Sequence, residues 1–119
     1  MTTHYHDPED FKLLRELKAL APEEFKGFVA LDSMVGREGG AIPRRYRELM
    51  AIAIACTTQC AYCLDVHTRN AKKAGATREE VAEAVFIAAA LRAGAAATHG
   101  TLALKLFDGH TAAPSGTPV

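Results

Sequence analysis

Two cysteines and a histidine share one short stretch of the chain. Cys60 and Cys63 are separated by two residues, and His67 follows Cys63 by four. On an α-helix, where each residue turns the chain by about 100°, these three positions fall within an arc of roughly 60° on one face. Unpaired backbone N–H groups in the first turn of a helix stabilise a thiolate, and a histidine one turn along can exchange its proton. The spacing therefore predicts an activated thiol on a helix.

A carboxylate further upstream joins this group if the chain folds back on itself. A short polar break at residues 57–59 separates two stretches of helical character. Glu48 lies ten residues before Thr58, and His67 lies nine residues after it. In an antiparallel hairpin of two helices, both are about 14 Å from the turn and therefore level with each other. We expect Glu48 to orient His67, which then exchanges a proton with the thiol.

Start and stop signals indicate two helices before this hairpin. Asp7 can cap the first helix, which has Pro8 in its first turn. A second helix is expected to open near Pro22 and to end in the pair Gly39–Gly40.

The two helices of the hairpin follow. Pro43 starts the first, which is almost wholly apolar over Leu49–Cys56, as is typical of a helix inside a bundle or at a subunit interface. Thr57 or Thr58 is expected to cap the second, which carries the cysteines and continues to Ala74.

The final helix has the clearest start signal. Thr77 and Glu80 have the spacing of a capping box, in which each side chain bonds the other's backbone N–H. The helix is predicted to continue to Phe107, with Gly94 and Gly100 as candidate points of bending.

Composition predicts one all-α domain. The chain has 119 residues, of which 23 are alanine, the best helix former, and 49% are hydrophobic. We expect residues 1–108 to form a single helical bundle built around the antiparallel hairpin that carries the cysteines. Residues 109–119 contain two prolines and two glycines with no apolar periodicity, and are predicted to be a mobile tail.

Charge and cysteine content exclude several classes of protein. Fourteen basic residues balance fourteen acidic ones, which argues against a nucleic-acid binder and against a basic membrane-surface protein. The longest apolar runs, Leu49–Cys56 and Ala84–Leu91, have eight residues each, against about 18 for a membrane-spanning helix. The N-terminus has no signal-peptide pattern. Three cysteines do not form the even framework of a small secreted protein, so we expect a cytoplasmic location.

The chemistry-bearing residues also resemble a known family. The pattern E-x11-C-x2-C-x3-H, filled by Glu48, Cys60, Cys63 and His67, resembles the alkylhydroperoxidase D branch of the carboxymuconolactone decarboxylase family. The stretch from Ala71 to Ala84 is similar as well, and the resemblance covers about residues 42–97. It implies an all-helical fold and a homo-oligomer, either a trimer or a hexamer.

The resemblance also implies a role for each residue of the pattern. Cys63 would attack a hydroperoxide, Cys60 would resolve the resulting sulfenic acid, and a Cys60–Cys63 disulfide would form. Glu48 and His67 would shuttle protons. A dithiol donor, such as a lipoyl or thioredoxin-like protein, would reduce the disulfide. No organic cofactor and no metal is implied.

Two other functions remain open from the residues. The same four side chains could hold zinc, or form a structural disulfide, in a binding module without turnover. A lyase acting on a lactone acid could instead use Glu48 or His67 as its proton donor. Family members of that kind lack the cysteines, which disfavours the lyase here.

Neighbouring residues have less specific interpretations. Cys56 is expected in the core, and His99 in packing or at the surface. Tyr62 could bond near the thiols or face a neighbouring subunit. Three arginines near Glu48 are expected to form surface or intersubunit pairs, and the first two could pair with Glu48 itself: Arg44, Arg45 and Arg47.

Overall fold

Helices are the regular elements of the protein over residues 5–112, the part that the computed structural model describes. The elements are a 3-10 helix (Pro8–Leu13), α1 (Leu14–Leu20), α2 (Pro22–Asp32), α3 (Arg44–Thr58), α4 (Ala61–Lys73) and α5 (Arg78–Gly109). The predicted all-α class is confirmed. Of the predicted mobile tail, residues 113–119 lie outside the described residues, and the division into a domain and a tail stays a prediction.

Two of the three predicted N-terminal caps, those of Asp7 and Thr77, are present, and each is a complete capping box. The Asp7 side chain accepts from the backbone N–H of Glu9 at 2.8 Å, while the Asp7 N–H donates to Asp10 at 3.0 Å. Thr77 accepts from the Glu80 N–H at 3.1 Å, and Glu80 accepts from the Thr77 N–H at 2.9 Å. These bonds join residues two or three apart, which explains why sequence spacing was sufficient to find them.

Two helix predictions differ from the structure. α2 ends at Asp32 instead of continuing to Gly39–Gly40. The next backbone bonds are turn bonds between residues three apart, such as Met34 N–H to Leu31 O at 3.0 Å, and residues 33–43 form a loop. α5 is unbroken through both candidate bends, Gly94 and Gly100, because the alanine-rich sequence around them sustains the helix.

α3 is the central helix, since it packs against both α4 and α5. The apolar residues that are buried between these helices are small or branched: Ile52, Ala55, Ala71, Ala84 and Ala88. Alanine on all three helices allows their backbones to approach closely. α3 thereby holds the side chains of its buried face, including Glu48, at the centre of the molecule.

Much apolar surface is left uncovered. α1 packs on α2 and on the 3-10 helix, and the side chains of α5 beyond Ala88 are exposed, apart from the half-buried position of Gly100. Large exposed residues of α5 are Phe86, Ile87, Leu91, Leu102, Leu104, Leu106 and Phe107.

By length and composition alone, α5 is also apolar enough to cross a membrane. This differs from the count of uninterrupted apolar runs, because Glu83 and Arg92 bound the run Ala84–Leu91, while the apolar residues beyond them keep the average over 18 residues high. One such helix is weak support for a membrane span. The expected absence of a membrane-spanning helix therefore stays a prediction.

Candidate functional site

The turn between α3 and α4 consists of two residues. Gln59 adopts a left-handed conformation, with φ of 56°, and its N–H bonds to Ala55 O. The N–H of Cys60 bonds to the same carbonyl at 3.0 Å. Together these contacts end α3 and reverse the chain within two residues, which makes α3 and α4 the predicted hairpin.

Cys60 itself caps α4, so the expected threonine cap is wrong. Its Sγ accepts from the backbone N–H of Cys63 at 3.1 Å. Thr57 and Thr58 are instead the last residues of α3, and their hydroxyls bond back to Ile54 O at 2.7 and 3.2 Å. Because the turn is so short, α3 continues through both threonines, and the first residue free to cap is the cysteine.

Cys60 and Cys63 are joined by a disulfide, with their Cα atoms 5.3 Å apart. Both residues are half-buried, so the sulfur pair is neither sealed in the core nor fully in water. Cys56 is a free thiol and lines a different cavity, toward α5, in which Cys63 has no part. The disulfide is the pairing that the family resemblance implies.

Glu48 and His67 meet across the hairpin, as the distance argument predicted. Nδ1 of His67 lies within hydrogen-bond distance of Oε2 of Glu48, at 2.6 Å. Glu48 is only 1% exposed, and the His67 side chain is 17% exposed. An ionised carboxylate can only accept, so this contact assigns a proton to Nδ1 and leaves Nε2 available for a second partner.

His67 and Cys63 line the same cavity, which has a volume of about 200 Å³. Cys60 is not among its lining residues. The other residues around it are almost all apolar: Val35, Ala51, Ile54, Ala55 and Thr58. A ligand in this cavity would therefore contact one sulfur, one imidazole and hydrocarbon walls.

Tyr62, between the two cysteines, bonds to neither of them. Its hydroxyl donates to Asp10 at 2.7 Å, and its ring packs edge-on against Phe11 with centroids 5.7 Å apart. The hydrogen bond to Asp10 is the main cause that raises the pKa of the Tyr62 phenol above its ordinary value. Tyr62 thus fastens the N-terminal 3-10 helix to the start of α4.

The arginines near Glu48 have separate partners. Arg44 lies 3.6 Å from Glu38, and Arg45 lies 3.4 Å from Glu80, which are the pairings expected for surface residues. Among the described residues, Arg47 has no carboxylate partner of this kind, because its guanidinium donates hydrogen bonds to backbone carbonyls within residues 33–43. Glu48 is bonded to His67 instead of to an arginine, and His99, on the exposed part of α5, has no place at the site.

Two residues that contact the site were missed from the sequence. Gly36 approaches the Glu48 carboxylate so closely that a Cβ there would collide with Oε1. Arg47 holds the loop that carries Gly36. The second helix was expected to continue to Gly39–Gly40, so the sequence placed Gly36 inside a helix, and nothing in its spacing pointed to Glu48.

Among residues 5–112, no three side chains of His, Cys, Asp or Glu cluster in a way that could hold a metal ion. The cysteines are bonded to each other, and Nδ1 of His67 is bonded to Glu48.

The chain is similar to a known protein family and to several individual proteins. Residues 22–106 match the model of the carboxymuconolactone decarboxylase family. The chain belongs to this family. It is 42% identical over 81 residues to an uncharacterised protein of the cox locus of Paracoccus denitrificans, a match that covers 68% of this chain and 72% of that protein. An uncharacterised protein of Cupriavidus necator is 31% identical over 98 residues, with 82% and 83% covered.

A solved structure supports the same assignment. The crystal structure of a protein from Methanobacterium thermoautotrophicum superposes with a TM-score of 0.63 at 30% identity, covering 72% of this chain and 96% of that one. The family resemblance inferred from the four-residue pattern is thus confirmed, and the alkylhydroperoxidase-like branch is consistent with it.

Proposed function

We propose that this protein reduces hydroperoxides through a dithiol/disulfide cycle at Cys60 and Cys63. The observation that carries the proposal is the cavity shared by Cys63 and His67, with His67 bonded to the buried Glu48 and Cys60 within disulfide distance. The family includes both decarboxylases and alkylhydroperoxidases, and the paired cysteines favour the second activity.

Cys63 is the peroxide-attacking residue, because it is the sulfur that faces the cavity. Its thiolate attacks the terminal oxygen of the hydroperoxide, and the O–O bond breaks. His67 returns the proton that it took from the thiol to the departing alkoxide, which leaves as an alcohol. Cys63 is then a sulfenic acid. Glu48 keeps the imidazole in place and stabilises its charged form while it holds the proton.

Cys60 resolves the sulfenic acid. Its thiolate attacks the Cys63 sulfur, the S–O bond breaks, and the hydroxide takes up a proton to leave as water. As the cap of α4, Cys60 receives the Cys63 N–H and the positive end of the helix dipole, both of which stabilise its thiolate. The product is the Cys60–Cys63 disulfide.

The cycle closes when an external dithiol supplies two electrons. One donor thiolate attacks the disulfide, forms a mixed disulfide and releases one of the two cysteines. The second donor thiolate then attacks the donor sulfur of the mixed disulfide, which releases the other cysteine and leaves the donor as a disulfide. One peroxide consumes one pair of thiols, so the donor must itself supply two thiols. We propose that it is a protein-bound dithiol of the lipoyl or thioredoxin type, in the cytoplasm.

Mass spectrometry of the reduced protein after a stoichiometric pulse of an alkyl hydroperoxide tests the proposal. The Cys60–Cys63 disulfide should form, and a dithiol should reverse it. Cys63→Ser should stop peroxide consumption, while Cys60→Ser should consume one equivalent and accumulate sulfenic acid at Cys63. Cys56→Ser is the matched control and should behave as the wild type.

Three outcomes would contradict the proposal. Unchanged peroxide consumption by Cys63→Ser would remove the central thiol from the reaction. Conversion of a lactone acid by the double variant Cys60→Ser/Cys63→Ser would identify a lyase instead. Zinc that copurifies with blocked thiols would identify a binding module.

A further inference from the structure

The loop between α2 and α3, residues 33–43, is held to α3 by one side chain. Nη1 of Arg47 donates to Met34 O at 3.0 Å and to Val35 O at 3.3 Å. Nε of Arg47 donates to Ile42 O at 2.9 Å. One guanidinium therefore joins the beginning and the end of the loop, which a single ammonium group does not do with the same geometry.

The loop backbone also fits closely around this guanidinium. A Cβ at Gly40 would collide with Nη2 of Arg47 and would lie 3.2 Å from its Cζ. The side chain of Arg47 is half-buried. Glycine at position 40 thus permits the contact between loop and arginine.

The clamped loop covers the site at two points. Val35 lines the cavity that contains Cys63 and His67. A Cβ at Gly36 would collide with Oε1 of Glu48 and would lie 3.3 Å from its Cδ. The loop backbone therefore lies directly on the carboxylate, which explains part of why Glu48 is only 1% exposed.

We infer that Arg47 is a positioning residue: it holds the backbone at Gly36 over Glu48 and so keeps the Glu48–His67 hydrogen bond free of water. A hydrogen bond is electrostatically stronger in a site from which water is excluded. With the loop in place, Glu48 has His67 as its hydrogen-bond partner at 2.6 Å, and Nδ1 keeps its proton. If the loop opened, water would compete for the carboxylate and the imidazole would lose its fixed orientation.

The charged groups around Glu48 come from both helices and from the loop. His67 faces it from α4, and Arg44 lies one helical turn earlier on α3. Nε of Arg44 is buried, has no hydrogen-bond partner among the described residues, and lies 4.0 Å from the point where a Gly36 Cβ would stand. Glu38, on the loop, pairs with Arg44.

The inference rests on the proposed thiol chemistry for its consequence, but it can be tested without a peroxide. In ¹⁵N-labelled protein, the imidazole N–H of His67 should be protected from exchange with water, and His67→Gln identifies its signal. Arg47→Gln and Gly36→Ala should each abolish that protection. Arg47→Lys should do so as well, because it keeps the charge without the guanidinium fork.

The second measurement is the rate at which iodoacetamide alkylates Cys63 in the reduced protein, localised by mass spectrometry. Both Arg47→Gln and Gly36→Ala should slow alkylation at neutral pH by about tenfold, as is typical when a supporting contact of a functional group is lost. The difference should vanish at alkaline pH, where a thiol ionises without a base. A loss of stability alone would not produce this pH profile.

Matched controls are available on the same elements. Arg45→Gln, on α3, and Gly27→Ala, on α2 with nothing within 4 Å of its added Cβ, should leave both measurements unchanged. A protected His67 signal in both Arg47→Gln and Gly36→Ala would overturn the inference, as would wild-type behaviour of Arg47→Lys. If the variants behave as expected and the wild type consumes no hydroperoxide, the positioning role stands and the proposed function fails.

Discussion

Glu48 is the one charged side chain that is fully buried among residues 5–112. Burying a carboxylate costs free energy unless it is paired, and removing its partner leaves an uncompensated charge. Here the partner is His67, which itself faces a half-buried cysteine in one cavity. A proton relay needs a buried carboxylate that is paired with an imidazole, and Glu48 with His67 supplies that pair.

We predict that Glu48→Gln slows the reaction of Cys63 with hydroperoxide by about 100-fold, the lower range of contributions from general acid–base catalysis. Glutamine has nearly the same volume, so the helical fold should persist, but it carries no charge to stabilise a protonated His67. Stopped-flow measurement of peroxide consumption checks the rate, and circular dichroism checks the fold.

Glu16→Gln, on the exposed surface of α1, serves as the control for Glu48→Gln and should react at the wild-type rate. Equal rates for Glu48→Gln and the wild type would remove Glu48 from the relay.

The residues of the site differ in their separation along the sequence. Cys60, Cys63 and His67 lie within two helical turns, so their spacing was sufficient to bring them together. Glu48 was found because a hairpin imposes equal distances from its turn. Gly36 was missed, and Arg47 was expected to form a surface or intersubunit pair, because the contacts of both depend on how an irregular loop returns to α3.

The N-terminus of α5 is stabilised by the capping box of Thr77 and Glu80. The hydrogen bond from the Thr77 backbone N–H is the main cause that lowers the pKa of Glu80 below its ordinary value. The contribution of this carboxylate to stability is therefore complete above its ordinary pKa and is lost as the pH falls through the lowered value.

We predict that Thr77→Ala lowers the free energy of unfolding by about 1 kcal/mol at neutral pH, because the N–H of residue 80 loses its acceptor. Chemical denaturation followed by circular dichroism measures the change. The wild type should also lose stability as acid protonates Glu80, and Glu80→Gln should lack that component of the acid dependence.

Thr111→Ala, which lies beyond the end of α5, is the control for the cap and should leave the free energy of unfolding unchanged. A Thr77→Ala protein as stable as the wild type would show that the cap contributes nothing to the folded state.

The whole molecule has too little core for its size. The chain exposes 9815 Å², whereas a folded monomer of this mass is expected to expose about 6,200 Å². Five apolar residues are buried among those described, while α5 leaves large side chains such as Phe86 and Leu91 in contact with solvent. Large apolar side chains exposed along one helix are typical of subunit interfaces. We therefore propose a homo-oligomer, for which the family resemblance implies a trimer or a hexamer.

Light scattering should give a mass three or six times that of the 12.7 kDa chain. Leu91→Glu, which places a charge on the exposed apolar face of α5, should reduce that mass. Lys72→Glu, at the polar end of α4, should leave it unchanged. A stable monomer would contradict the proposal, and a protein that leaves membranes only with detergent would make α5 a membrane span instead.

Local interactions explain which features were predictable from the amino-acid sequence. The all-α class, the Asp7 cap, the Thr77–Glu80 capping box, the hairpin and the level pairing of Glu48 with His67 follow from helical periodicity and from bonds between residues two to four apart. Such rules depend on the order of residues and not on the path of the rest of the chain.

Contacts between distant segments were decided by the tertiary structure. The early end of α2, the clamp of Arg47 on residues 33–43 and the cover of Gly36 over Glu48 all require the loop to return to α3 along one particular path. The two-residue turn, which makes Cys60 the cap of α4, likewise depends on how far α3 continues before it meets its partner helix. Packing selects these arrangements among many that the same residues would allow, which is why spacing alone did not reveal them.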